Sequence, residues 1–174
     1  DKNYPDVPVK MSEWCHMQGG RDKSMNSALV TAKTMYEDFS ILNVTSWQHW
    51  IAVSEVDYCD GLIYINLDDK TFETTKRLYV TGNFSKYIEP GSVRVDAVCD
   101  DKELMLLAFE KDNKTVLIVI NPSENAKNIT LPSNDKVLAA VTDDNNDLTE
   151  KEFLNGNVDL TSKSVTTLVF NNRR

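Results

Sequence analysis

The pattern of this 174-residue chain changes at Pro90–Gly91, and that change limits what it can fold into. Before it, strand-like and helix-like stretches alternate. Residues 7–13 read as a strand. After the polar loop CHMQGGRDKS, the stretch MNSALVTAKTMYEDFSIL carries apolar residues at helical spacing, among them Ala28, Leu29, Ala32, Met35, Tyr36 and Phe39. The aromatic and β-branched stretch NVTSWQHWIAV reads as a second strand. A loop, SEVDYCDG, leads to the apolar run LIYIN, and TFETTKRLYVTGNFSKYI reads as a second helix stopped by Pro90 and Gly91. Two βα units in succession belong to a parallel sheet or barrel.

After Gly91 the runs are short and β-rich: SVRVDAVC, ELMLLAFEK, KTVLIVINP, KNITLPS, KVLAAVTDD, NVDLTS and SVTTLVFN, parted by Asp, Asn, Gly, Pro and Ser. Strands at this spacing predict an antiparallel sandwich. The expected fold is therefore α/β followed by all-β, with residues 1–90 as one unit and 91–174 as a β-sandwich side domain. The first unit is too small to stand alone. Two βα units leave parallel strand edges open, and a closed (β/α)8 barrel needs about 250 residues. Residues 1–90 thus read as the C-terminal part of such a barrel, completed by upstream strands or by self-association.

Charge and cysteines narrow the partners. With 27 acidic against 19 basic Lys and Arg residues, the formal net charge of −8 argues against nucleic acid or an anionic membrane surface. No apolar run approaches the roughly 18 residues of a membrane span. Cys15, Cys59 and Cys99 form no CxxC pair, so neither a zinc site nor a disulfide framework is expected, and no cofactor is called for. Cys15 is a weak nucleophile candidate, because no motif links it to His16 or His49.

The chemistry-bearing residues gather at the ends of the two predicted strands. Glu13 closes the first, between Ser12 and Trp14, where parallel barrels place their active sites; the competing reading is a solvated loop acid. In the second strand, alternation sends Trp47 and His49 to one face and Gln48 and Trp50 to the other. All three tryptophans of the chain, at 14, 47 and 50, fall here. Aromatics beside a carboxylate suit a pyranose, which has an apolar face and a rim of hydroxyls. Core packing is the alternative for each tryptophan taken singly.

The segments SEW, NVTSWQHW, DGLIYIN and above all RLYVTGNFSKYIEPGSVRV resemble the C-terminal part of glycoside hydrolase family 30, which includes lysosomal glucosylceramidases, bacterial glucuronoxylanases and β-1,6-galactanases. The resemblance implies a (β/α)8 barrel fused to a β-sandwich, retaining hydrolysis of an oligo- or polysaccharide, and Glu13 as the nucleophile. It implies Trp50 in the wall around the reacting sugar, with Trp14, Gln48 and His49 as further lining residues. A structural hydrogen bond is the more natural role for His49 than that of an acid. The acid/base glutamate would lie upstream of Asp1, so the chain alone is expected to be inactive. Glu55 and Asp57, in the loop after the second strand, read as solvated acids.

The loop from Ser54 to Lys70 holds no arginine, which favours a neutral β-linked galactan, glucan or xylan over a glucuronate-bearing one. The resemblance also implies a secreted, periplasmic or lysosomal-type location. Sequons at Asn43, Asn83, Asn113 and Asn128 permit glycosylation without demonstrating it, and Asn43 is expected to be buried at a strand start. The alternatives are a carbohydrate-binding module and a structural brace. Residues 92–174 lack Trp and Tyr, which counts against the first.

Overall fold

The computed structural model describes residues 7–131, 136–154 and 156–171. The elements run β1 (Met11–Trp14), α1 (Met25–Ser40), β2 (Trp47–His49), β3 (Val53–Ser54), β4 (Ile63–Asn66), β5 (Thr71–Thr74), α2 (Lys76–Ser85), β6 (Val93–Val95), β7 (Met105–Lys111), β8 (Lys114–Asn121), β9 (Lys127–Thr130), β10 (Val137–Thr142), β11 (Thr149–Phe153), β12 (Asn157–Leu160) and β13 (Ser164–Asn171).

The first unit is a βαβ: β1 and β2 pair in parallel, joined by α1. Helix α1 buries Met25, Ala28, Ala32 and Met35, the i, i+3, i+4 stripe that the sequence shows. Between β2 and α2 lies a small three-stranded sheet, β3-β4-β5, in which β4 and β5 form a hairpin. Its turn passes through Lys70 at φ 59° and is held by Asp69 Oδ1, which accepts from the Thr71 amide at 3.0 Å. This corrects the expected helix over 71–88. Thr71, Phe72 and Thr74 are β-formers, and the helix begins only where Thr75 caps it, its Oγ1 accepting from the Leu78 amide. The second strand is likewise shorter than the stretch 43–53. Asn43 is exposed at φ 51° in the loop before it, not buried.

The second unit is built on a six-stranded sheet, ordered β11-β10-β13-β8-β7-β6, faced by the two-stranded sheet β12-β9. Strand β11 has no counterpart among the expected runs: in TEKEF three charged residues, Glu150, Lys151 and Glu152, stand in a row and only Phe153 is apolar. It forms as an edge strand on β10, where charge deters further pairing. The last two residues of the expected run KNITLPS lie outside the described residues.

The long strands are apolar on both faces because both faces are covered. On β8, Val116, Ile118 and Ile120 pack against Ala28, Ala32, Met35, Val80 and Phe84 of the helices. Leu117 and Val119 pack with Val158 and Leu160 of β12. Helices α1 and α2 are thus pinned to the sheet. Asn83, fully buried in α2, fastens them further. Its amide donates to Ala140 O at 2.9 Å and to Thr167 Oγ1 at 3.0 Å, and its Oδ1 accepts from Thr142 Oγ1 at 2.6 Å. A glycan on that sequon has no room.

Candidate functional site

Strands β1 and β2 run the same way, so their C-terminal ends lie together. The register pairs Met11 with Trp47 and Trp14 with His49, shifted by one residue within β1. The Trp50 amide then donates to Trp14 O at 2.8 Å. Glu13 and Trp50 therefore sit at the same end of adjacent strands, both exposed to solvent.

The two faces of β2 divide the aromatic residues. Gln48 and Trp50 are exposed. Trp47 and His49 turn inward and meet Trp14, with ring centroids 5.6 Å (Trp14–Trp47), 5.9 Å (Trp14–His49) and 6.2 Å (Trp47–His49) apart. Trp47 Nε1 donates to Asp38 Oδ2 of α1 at 2.8 Å, and the half-buried ring packs against the core beneath the helices. Trp14 belongs to that cluster, as one half-buried member. A cleft of about 810 Å³ lies on this inner side, lined by Met35, Phe39, Trp47, His49, Phe84 and Phe109 among others; neither Glu13 nor Trp50 borders it.

His49 holds a fixed bond. Its Nε2 lies 2.7 Å from Asp60 O, a carbonyl that can only accept, so the Nε2–H tautomer is present and Nδ1 carries the lone pair. Burial pushes its pKa below the ordinary histidine range, against the opposing pull of the Asp60 carbonyl. A neutral imidazole committed to a carbonyl positions the loop after β2. The Cys15 thiol is pushed up by burial and then by the Asp60 charge, the reverse of what a nucleophile needs. Glu55 and Asp57 are exposed, and Asp57 Oδ1 accepts from the Arg21 amide at 3.2 Å.

Two arginines that the sequence reading passed over organise the rim. Arg77, in α2, has no exposed surface. It donates to Asp22 O and Ser27 Oγ beyond β1, and to Cys59 Sγ at 3.1 Å, Gly61 O at 2.7 Å and Tyr64 OH at 2.9 Å beyond β2. One guanidinium therefore ties together the two loops that follow Glu13 and Trp50. Arg21, in the first loop, donates to Val56 O at 3.0 Å and to Glu55 O, and lies 4.9 Å from the Tyr64 ring. In the sequence, TKRLYV reads as a helix with a solvated charge and GGRD as a polar loop; neither pattern signals burial or bridging. All three cysteines are free thiols.

Two family models match the chain: O-glycosyl hydrolase family 30 over residues 11–64, and the glycosyl hydrolase family 30 beta sandwich domain over residues 91–168. A glucuronoxylanase of Bacillus subtilis (strain 168), XynC, is 38% identical over 55 residues, which are 31% of this chain and 13% of that protein. Among solved structures, a conserved exported protein from Bacteroides fragilis superposes with a TM-score of 0.84 at 22% identity, covering 95% of this chain and 39% of that one. The GH30 xylanase C catalytic domain from Talaromyces cellulolyticus gives 0.82 at 22%, covering 94% and 41%. A GH30 endoxylanase from Clostridium papyrosolvens C71 gives 0.76 at 23%, covering 98% and 43%. The chain thus spans about an eighth of the curated relative and about two fifths of these structures. It is a C-terminal barrel portion followed by a β-sandwich, and it belongs to glycoside hydrolase family 30.

Proposed function

We propose that this chain is the C-terminal part of a secreted, retaining β-glycosidase in which Glu13 is the nucleophile, with the boundary between barrel and side domain at Pro90–Gly91. The observation that carries the reading is the parallel register of β1 and β2, which brings Glu13 and Trp50 to one rim. In the first step, a Glu13 carboxylate oxygen attacks the anomeric carbon. The bond to the leaving oxygen breaks as a second carboxylic acid protonates it. That residue then takes a proton from water, whose oxygen displaces Glu13 and regenerates both groups.

The second carboxyl must stand about 5–5.5 Å away and belongs to barrel strands beyond those carried here. The two-stranded β1–β2 sheet supports this, since its open edges call for further strands. Trp50 forms part of the sugar wall, with Gln48 on the same face and Trp14 and His49 supporting it from behind. The substrate is a neutral β-linked glycan of galactan, glucan or xylan type. Arg21 and Arg77, the two arginines that reach the rim loops, are already bonded to main-chain carbonyls there. The sandwich serves as a brace: one face of its large sheet is occupied by α1 and α2.

The test is mechanism-based trapping. A 2-deoxy-2-fluoro glycosyl fluoride of the correct sugar, applied to the chain joined to its upstream strands, should add one glycosyl mass to the peptide holding Glu13. Glu13→Gln should abolish the adduct and lower turnover at least about a thousandfold. Labelling at any other residue, or measurable turnover by the 174-residue chain alone, defeats the assignment.

A further inference from the structure

The small sheet β3-β4-β5 has two unlike faces. Strand pairing sets Ser54, Tyr64 and Glu73 on one of them. That face packs toward the loop after β1: Ser54 and Tyr64 are buried, the Arg21 guanidinium lies 4.9 Å from the Tyr64 ring, and Lys23 forms an ion pair with Glu73. The opposite face gathers Val53, Ile63, Ile65 and Phe72 through the pairs Val53–Ile63 and Ile65–Phe72. Phe72 is 70% exposed, Val53 45%, and the two isoleucines are half-buried. Thr74, across from Ile63, already accepts from Tyr79 OH of α2 at 3.0 Å. A continuous apolar stripe on a sheet face marks a contact surface.

We propose that this stripe is the docking face for the loop that follows the first strand of the completed barrel, an apolar segment of the upstream polypeptide. The assignment rests on the reading above, in which this chain ends such a barrel, and it names which upstream segment meets the rim. Two observations select that occupant. In a closed barrel the first strand pairs with the last, here along the free edge of β2, which among the described residues pairs with β1 alone. Strand β3 starts at Val53, just past the end of β2 at His49, so a loop rising from that first strand emerges beside it. The chain also spans about two fifths of the related structures, so more than half of each lies outside the part matched here. A pyranose is the poorer fit, because its hydroxyl rim needs polar partners and the stripe offers alkyl groups and one ring. Docking takes the stripe out of water and fixes the β4–β5 hairpin from both sides. The first and last loops of the barrel are thereby joined at the rim where Glu13 and Trp50 stand.

The experiment uses the barrel-complete enzyme with Phe72→p-benzoylphenylalanine, irradiated and mapped by peptide mass spectrometry. The expected product is one intramolecular cross-link from residue 72 to the peptide directly after the first barrel strand. A cross-link to a second copy, to any other segment, or to added xylan or β-galactan overturns the assignment, as does recovery of uncross-linked protein only. A second variant reads the contact without the probe. Phe72→Asp should make cleavage within residues 66–74 by a broad-specificity protease at least about tenfold faster, through the loss of a buried phenylalanine. Phe72→Leu should keep most of the protection. An unchanged cleavage rate in Phe72→Asp also overturns the docking face.

Trapping at Glu13 is read in a separate assay. Success there with failure here refutes the docking face alone, whereas failure in both refutes the glycosidase reading as well.

Discussion

The amide of Trp50 donates to the carbonyl of Trp14 at 2.8 Å, one residue beyond the last strand pair, so the strand ends bearing Glu13 and Trp50 are locked in step. A one-residue slip would exchange the exposed Gln48 and Trp50 for the half-buried Trp47 and His49. In the barrel-complete enzyme, Trp50→Ala is expected to lower kcat/KM by roughly thirtyfold, the loss of about 2 kcal/mol of apolar contact with the sugar. Steady-state kinetics on the polymer would show it; an unchanged kcat/KM would remove Trp50 from the site.

Arg77 holds both rim loops from beneath. Arg77→Met leaves the Gly61 and Asp22 carbonyls without their donor and should cost about 3 kcal/mol of stability, seen as a lower denaturant midpoint. Arg77→Lys keeps the charge but reaches fewer partners, and an intermediate midpoint is expected. A midpoint equal to that of the unaltered chain in both variants would mean that the loops are held otherwise.

The burial of His49 predicts a pH dependence of folding. Its pKa is depressed in the folded state, so the unfolded chain takes up the proton first as pH falls. The His49 contribution is therefore complete above the unfolded histidine range and is lost as pH drops from about 7 toward the folded value. His49→Gln, which retains a donor for Asp60 O, should flatten the stability profile between about pH 7 and pH 5. Chemical denaturation at a series of pH values tests this, and an unaltered slope would refute it.

Asn83 is a sequon that folding closes. Peptide mapping of protein from a glycosylating host should find Asn83 unmodified, whereas Asn43, Asn113 and Asn128 are exposed. Asn83→Ala leaves Thr142 Oγ1 and Ala140 O without their partner and is expected to cost about 2–3 kcal/mol. A glycan at Asn83, or a neutral substitution, would contradict the packing of α2 on the sheet.

Local patterns were legible wherever one force acted alone. The apolar stripe of α1 and the β-rich runs from Met105 onward are periodic because burial on a fixed geometry imposes a period. The hairpin β4–β5 was missed because Thr71–Thr74 precedes a genuine helix, and its strand character comes from pairing with β4 rather than from an apolar face. Strand β11 was hidden for the same reason: TEKEF is an edge that pairs through its backbone.

Sequence by itself marked a change of pattern at Pro90–Gly91, the two parallel strands, one carrying Glu13 and the other leading into Trp50, and the kinship those segments carry. These depend on short-range periodicity and on residue type, which a linear chain records. Only the tertiary structure decided that Trp47 packs against the core and Trp50 is rim, that Asp60 is buried with an unmatched oxygen, and that Arg77 spans two loops from a helix. Each depends on groups up to tens of residues apart meeting where water is excluded. A charge there is judged by its partners, which no linear pattern around Asp60 or Arg77 announces.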